Sequence, residues 1–475
     1  MTSTTTPVVV PAARRGSDGL QVQGGAGGVA ARTDDLEQAA GALQSAAGGL
    51  AEAAVAAASV AARPLLLATG VLAPLTLARA EATLVAALAG SRGIVVAGLR
   101  LETLALRLRA AALGYDVAEN GARAAVGQLE LAAGRLVAAG VLPLVPLAAA
   151  TSVVTVPFGV AVSRVGLRLP FPVPAQWPRA GGRLLEPLVA ALPGAITPPA
   201  GPLWNPGASV PGLAGVLADA GRAGPFLHES GSVVVTARPA PAVPPRGVSD
   251  LLARVAACYP AAGAPPGGVR VEGVSGPDGR RAWVVEIPGT QEWSPRPGPN
   301  PADLTADVAA LGGASTAAAA TVVRALELAG AGPSDPVLLA GHSLGGMLAA
   351  ALAADPGFTR RFRVTHVVAA GSPLAGYRVP AGVAVLALEH DDDLVPALDG
   401  APDPDRANWI TVRRSPRRGR SPAAAHDCLA YAETGALVDA SPDASVRAWL
   451  AGLTPFLARP GATARGLVVV GRRTS

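Results

Sequence analysis

A short apolar run, Pro336-Val337-Leu338-Leu339-Ala340, leads into Gly341-His342-Ser343-Leu344-Gly345-Gly346, and Met347 to Ala354 then follow as strong helix formers. Strand, sharp turn and helix around a G-x-S-x-G core leave few folds open, because this is the setting of a serine presented at the edge of a mostly parallel sheet. The flanking glycines let the backbone take a strained turn, and Gly345 and Gly346 let the helix start close to a neighbouring strand. The bare pattern is weak in a chain with 57 glycines among 475 residues. Its strand and helix, and its partners downstream, carry the weight.

A serine hydroxyl is unreactive until a histidine takes its proton and a carboxylate orients that histidine. In sheets of this kind the chain order is serine, acid, histidine. Five histidines are present: His228, His342, His366, His390 and His426. His228 precedes the serine, and His342 adjoins it with its side chain expected to point away. His366 lies within the strand pattern Val364–Val368 and reads as a half-buried structural residue. His390 ends the next strand, Val383 to Glu389, just before Asp391, Asp392 and Asp393, which places carboxylates where α/β sheets gather their sites. His426 follows a further strand-like run, Trp409 to Val412, and opens a helical segment, Asp427 to Val438. By elimination His426 is the base, with the acid among Asp391, Asp392 and Asp393.

Upstream, the strand Arg281–Ile287 ends abruptly at Pro288-Gly289-Thr290-Gln291. A loop after an early strand supplies one donor for the developing oxyanion, and the residue after the nucleophile supplies the other. These are the N–H of Thr290, with its hydroxyl as a further candidate, and the N–H of Leu344.

Taken together, Ile287-Pro288-Gly289-Thr290-Gln291, Gly341–Gly346, Asp393-Leu394-Val395-Pro396 and His426 with Tyr431 resemble the class 3 (triacylglycerol) lipase group of α/β-hydrolases, in its actinobacterial form. The resemblance spans roughly residues 226–455. It implies the oxyanion role for Thr290, singles out Asp393 as the acid, and implies an ester or lipid substrate with no cofactor or metal. No sizeable insertion separates Ser343 from His426, so a large lid is not expected there, and short and medium acyl esters are expected to be preferred. Thioesterases and acyltransferases share the same elbow, so the leaving group stays open. A helical interaction protein carrying a dead hydrolase scaffold is the alternative from another class.

The expected architecture is an α/β-hydrolase domain with a mostly parallel sheet, preceded by an all-α, Ala-rich helical hairpin. The expected boundaries are a disordered N-terminus over 1–32, the helical domain over 33–164, a Pro-rich connector over 165–225, the hydrolase domain over 226–455 and a tail over 456–475. Thr33-Asp34-Asp35-Leu36 reads as a helix start. Leu36, Leu43 and Leu50 recur at seven with alanines between them, and a second helix over 79–134 sets Leu101, Leu104 and Leu108 on one face. Such a hairpin suits packing, self-association or a helical partner. Tyr115 with Glu119 has the Y-x-x-x-D/E spacing of the hairpin substrates of actinobacterial type VII secretion, which this half resembles, although their W-x-G turn is missing.

All 39 basic residues are arginine, and the net charge of +5 is small for this length. It gives no nucleic-acid surface. The run Arg413–Arg420 reads as a solvated loop, or a holder of an anionic headgroup. Cys258 and Cys428 lack metal or CxxC spacing, so pairing stays open. Met1 to Gly16 has no apolar core of a signal peptide, which leaves the cytoplasm or a signal-peptide-independent export route. Residues 136–163 carry no charge and could span a bilayer, but Pro143, Pro146 and Pro157 interrupt them.

Overall fold

Alanine and leucine dominate residues 33–113, and with few β-branched runs to oppose them the chain turns helical. α1 is Thr33–Ala61, α2 is Pro74–Ala89 and α3 covers 94–113. The computed structural model describes residues 14–15, 19–25, 33–61, 73–113, 210–221, 226–416 and 422–474, divided into a helical unit within 29–126 and a unit of residues 1–28 with 127–475.

The helical unit is held by a thin seam. Among the described residues, Ala40, Ala47 and Ala54 on α1 and Ala105 and Ala112 on α3 are its buried apolar ones. Both sets recur at seven, the spacing that keeps one helix face turned to a partner. Gly98 lies against the backbone of Ala47 and the Cβ of Leu50, and Arg109 Nη2 donates to Gln44 Oε1 at 2.6 Å, which makes α1 and α3 antiparallel. The single second helix expected over 79–134 starts earlier and is broken. A Cβ on Gly90 would meet Ala86 O at 2.3 Å, and one on Gly93 would meet Leu88 O at 2.5 Å, so the chain turns there on two glycines. Leu104 is 45% exposed and stands apart from half-buried Leu101 and Leu108. Tyr115, Glu119 and the apolar stretch 136–163 lie outside the described residues. Among the described residues, Pro74–Leu113, which is α2 and α3 with the break between them, is long and apolar enough to cross a membrane by length and composition.

The second unit is built on a ten-stranded sheet: β1 (Arg14–Arg15), β2 (Gln21–Gly24), β3 (Val233–Ala240), β4 (Gly268–Ser275), β5 (Arg281–Ile287), β6 (Pro336–His342), β7 (Arg363–Ala370), β8 (Ala384–His390), β9 (Trp409–Arg414) and β10 (Thr463–Arg473). Their spatial order is β1-β2-β9-β8-β7-β6-β5-β4-β10-β3. The five central strands, β5 to β9, run parallel in sequence order, while every outer pairing is antiparallel. The sheet is therefore mixed, parallel through its centre and antiparallel at its edges, and with its covering helices it is of the expected α/β class. β4 and β5 are joined by five residues, too few for the crossover a parallel pair requires.

Three of the expected boundaries change. The presumed tail supplies β10, whose run Leu467-Val468-Val469-Val470 suits a half-buried strand and pairs with both β3 and β4. Within the presumed connector, Val210–Gly221 is a helix, α4. At the N-terminus, β2 extends the sheet beyond β9 and buries Leu20 and Val22.

Helices cover both faces. On one lie α6 (Leu304–Leu311), α7 (Ala317–Ala329) and α8 (Leu344–Ala354), and on the other α5 (Val248–Ala257), α9 (Cys428–Asp439) and α10 (Ala444–Gly452). A strand covered on both sides needs no alternation. Val337 and Leu339 accordingly pack into one core, and Leu338 and Ala340 into the other.

Candidate active site

At the C-terminal end of β6 the chain passes straight into α8 through Ser343, whose φ is 57° and ψ −124°. Leu227 is the one other non-glycine with positive φ among the described residues. Holding serine there costs on the order of 1–3 kcal/mol, tolerated only when the surroundings enforce it. The surroundings do enforce it. A Cβ on Gly341 would lie 2.2 Å from the carbonyl carbon of Gly345, and one on Gly345 would lie 2.1 Å from Ile287 O. Ser343 N–H donates to Ala370 O at 2.9 Å, and Ser372 Oγ donates to Ser343 O at 2.8 Å.

His426 sits in the turn before α9, whose N-cap is Asp427. Its Nδ1–H donates to Asp393 Oδ2 at 2.7 Å. The same oxygen accepts Tyr431 O–H at 2.7 Å, and Asp393 Oδ1 accepts Val395 N–H at 2.9 Å. Burial alone would raise the Asp393 pKa, but the adjacent His426 charge and these hydrogen bonds overcome it, so the carboxyl is held below its ordinary range. Burial and the neighbouring Asp393 carboxylate push the Tyr431 hydroxyl well up, so it remains a donor. Of the other two carboxylates, Asp391 accepts Ser415 O–H, and only Asp393 is bonded to His426.

The loop Pro288–Thr290 closes over the elbow: a Cβ on Gly289 would lie 2.8 Å from Ser343 Cβ. Neither Thr290 N–H nor Leu344 N–H has an acceptor among the described residues. The Thr290 hydroxyl, a candidate for the same role, is engaged elsewhere. It donates to both oxygens of Asp307 on α6, at 2.9 and 2.8 Å. Burial pushes the Asp307 pKa up to about 7, against the lowering effect of that hydrogen bond.

His342 does not simply point away. Its Nε2 lies 2.8 Å from His426 O, and a carbonyl can only accept, so Nε2 carries the proton. In the neutral ring, Nδ1 then accepts Tyr259 O–H at 2.6 Å, while Tyr259 Oη accepts Gly289 N–H at 2.6 Å. One chain of hydrogen bonds thus joins the Pro288–Thr290 loop, the elbow and the backbone of His426. The His342 and His426 ring centroids are 4.6 Å apart.

Two of the remaining three histidines, His366 and His390, serve structure, while His228 is exposed. His366 is buried on β7, edge-on to Trp449 and Phe456, and burial lowers its pKa to about 4. His390 stacks on Tyr431 with centroids 3.9 Å apart and donates from Nδ1 to Ala425 O at 2.7 Å. Cys258 and Cys428 are both free and buried. Arg413 belongs to β9 and donates to Glu389 at 2.5 Å, while 417–420 lie outside the described residues. Among the described residues no His, Cys, Asp and Glu cluster is arranged to hold a metal.

Asp307 and Tyr259 are the functional candidates that sequence reasoning missed. Each acts across the fold, and no local motif marks either one. No family model, curated protein or solved structure matches the chain.

Proposed function

We propose that this protein is a serine carboxylic-ester hydrolase working through an acyl-enzyme on Ser343. The observations that carry the reading are the strained Ser343 at the end of β6, the bond from its neighbour His342 to the His426 backbone, and the pairing of His426 with buried Asp393. With Nδ1 held by Asp393, His426 has Nε2 left to act as base. Ser343 Oγ attacks the ester carbonyl as Nε2 takes its proton, and that proton then passes to the departing alcohol. Water, activated by the same nitrogen, releases the acid and restores the serine. The two acceptor-less N–H groups, of Thr290 and Leu344, suit the oxygen that gains charge in each tetrahedral intermediate. A hydrolase scaffold that had lost its chemistry would be expected to lack one of these members, and here all are present.

The test is labelling by a fluorophosphonate probe together with a panel of p-nitrophenyl esters from short to long acyl chains. Wild type should label and turn over short and medium esters, and Ser343→Ala should do neither, losing on the order of 10⁴–10⁶ in rate. More than a few per cent of activity in pure Ser343→Ala would overturn the assignment.

A further inference from the structure

At the opposite rim of the sheet from Ser343, the first residues of β5, β6 and β7 open onto a cleft of about 740 Å³. Four arginines line it: Arg280, Arg281, Arg363 and Arg459. Two carboxylates, Asp278 and Asp335, face them, and His366 is neutral there because burial lowers its pKa to about 4. The lining therefore carries two positive charges in excess.

The arginine donors are poorly used. Arg281 Nη2 is 3.7 Å from Asp335, and Arg280 Nε and Arg459 Nη2 are each 3.9 Å from Asp278. Those separations are ion pairs without hydrogen bonds. Arg363 Nη1 has only a 3.4 Å bond to Ser334 O. The Asp335 oxygen nearest Arg281, Oδ2, already accepts Trp283 Nε1–H at 2.9 Å and Gly332 N–H at 3.1 Å. Arg459 Nε is sealed from solvent without an acceptor. A buried guanidinium N–H left unpaired is costly, and a native fold keeps one where an anion or water completes it. Half-buried Pro455 and Pro336 add an apolar wall, with Phe456 fully buried behind it. The volume suits a small organic molecule more than a bare ion.

We propose that this cleft binds a phosphorylated small molecule, its phosphoryl group between Arg459, Arg363 and Arg281 and its organic part against Pro455 and Pro336. A phosphoryl dianion matches the charge excess, and the planar guanidinium fork takes its oxygens two at a time. The site stands apart from Ser343 and does not depend on the hydrolase reading.

Calorimetric titration of the full chain with phenyl phosphate, inorganic phosphate and benzoate tests it. Phenyl phosphate should bind about tenfold more tightly than phosphate, because of the apolar wall, and more tightly than benzoate, because of its second charge. Arg459→Gln should weaken phenyl phosphate about tenfold or more, and half-exposed Arg281→Gln about threefold, judged from charge-assisted bonds generally. Ser343→Ala should bind as wild type, so loss of ester turnover and loss of this site are read separately. If Arg459→Gln fails to fold, the double change Arg281→Gln with Arg363→Gln carries the test. Absence of binding by wild type, equal affinity for the three probes, or unchanged affinity in the arginine variants would overturn the proposal.

Discussion

The two units solve the same problem of ordering a chain in opposite ways. Among the described residues of the helical unit the buried apolar ones are alanines, while Val55, Leu75, Val85, Leu99, Leu106 and Leu113 are more than half exposed. In the α/β unit, nine of the eleven residues of α8 are buried between β6, β7 and their neighbours. An alanine removes little apolar surface from water, whereas each Leu or Val in the sheet cores contributes on the order of 1.5–3 kcal/mol. The first unit therefore rests mainly on helix propensity and close backbone approach, the second on burial. Only a densely packed unit can hold a residue at φ 57°, as Ser343 is held, because strain persists where surroundings leave no alternative. Chemistry is expected where packing is dense, and tolerance of change where it is thin.

Substitutions can break or sharpen that contrast. The largest effect should come from the buried acid: Asp393→Asn leaves His426 with a mis-set tautomer and should lower kcat by roughly 10³–10⁴. Asp391→Asn and Asp392→Asn, measured in the same ester assay, should each cost less than about tenfold. A crippled Asp392→Asn would move the acid by one residue and leave the rest standing.

Tyr259→Phe comes next. It removes the hydroxyl shared by Gly289 N–H and His342 Nδ1, and it should lower kcat by roughly 10- to 100-fold with KM little changed, as for a lost transition-state contact. Equal losses in kcat/KM carried by KM alone would show that the chain of bonds does not position the loop.

Asp307 gives a pH signature. Its folded pKa of about 7 stands above the ordinary 3.8, so the folded state holds the proton more tightly than the unfolded one. Stability from this group is complete below pH about 4 and declines as pH rises towards 7. Asp307→Asn should flatten that decline in thermal melts taken from pH 4 to 8. A parallel decline in the variant would assign it to other groups.

The smallest effect on activity should be Ala47→Leu in the helical seam. Forcing a larger side chain between α1 and α3 should cost that unit about 1–3 kcal/mol, read by circular dichroism on melting. Ester turnover should stay within about twofold of wild type, and a larger fall would mean that the helical unit supports the site.

How much of this was legible depends on how far apart the partners lie. β5 and β6 could be read within two residues and α8 within three, because an apolar run, a glycine turn and a run of helix formers are neighbours in sequence. The succession Ser343, Asp393, His426 could be read as well, since it is a matter of order and not of distance. Asp307 and Tyr259 could not, because their meaning arises only when α6 and the end of α5 are folded against the Pro288–Thr290 loop. The break at Gly90 and Gly93 was missed because isolated glycines inside a helical pattern are usually tolerated. β10 reads as a tail in the sequence because the strands it pairs with, β3 and β4, lie far upstream.

That last strand has a consequence for timing. β10 lies between β3 and β4, strands made much earlier, and ribosomes add about 5–20 residues per second. The wait from β4 to β10 is thus on the order of 10–40 s. Arg473, near the end of β10, donates to both oxygens of Asp303, at 2.6 and 2.9 Å, and Asp303 caps α6, which bears Asp307. A nascent chain therefore has its serine, acid and histidine before it has the clamp on the loop that carries Thr290. On the proposed reading turnover waits on β10, and a translation product ending before Thr463 should be silent in the ester assay.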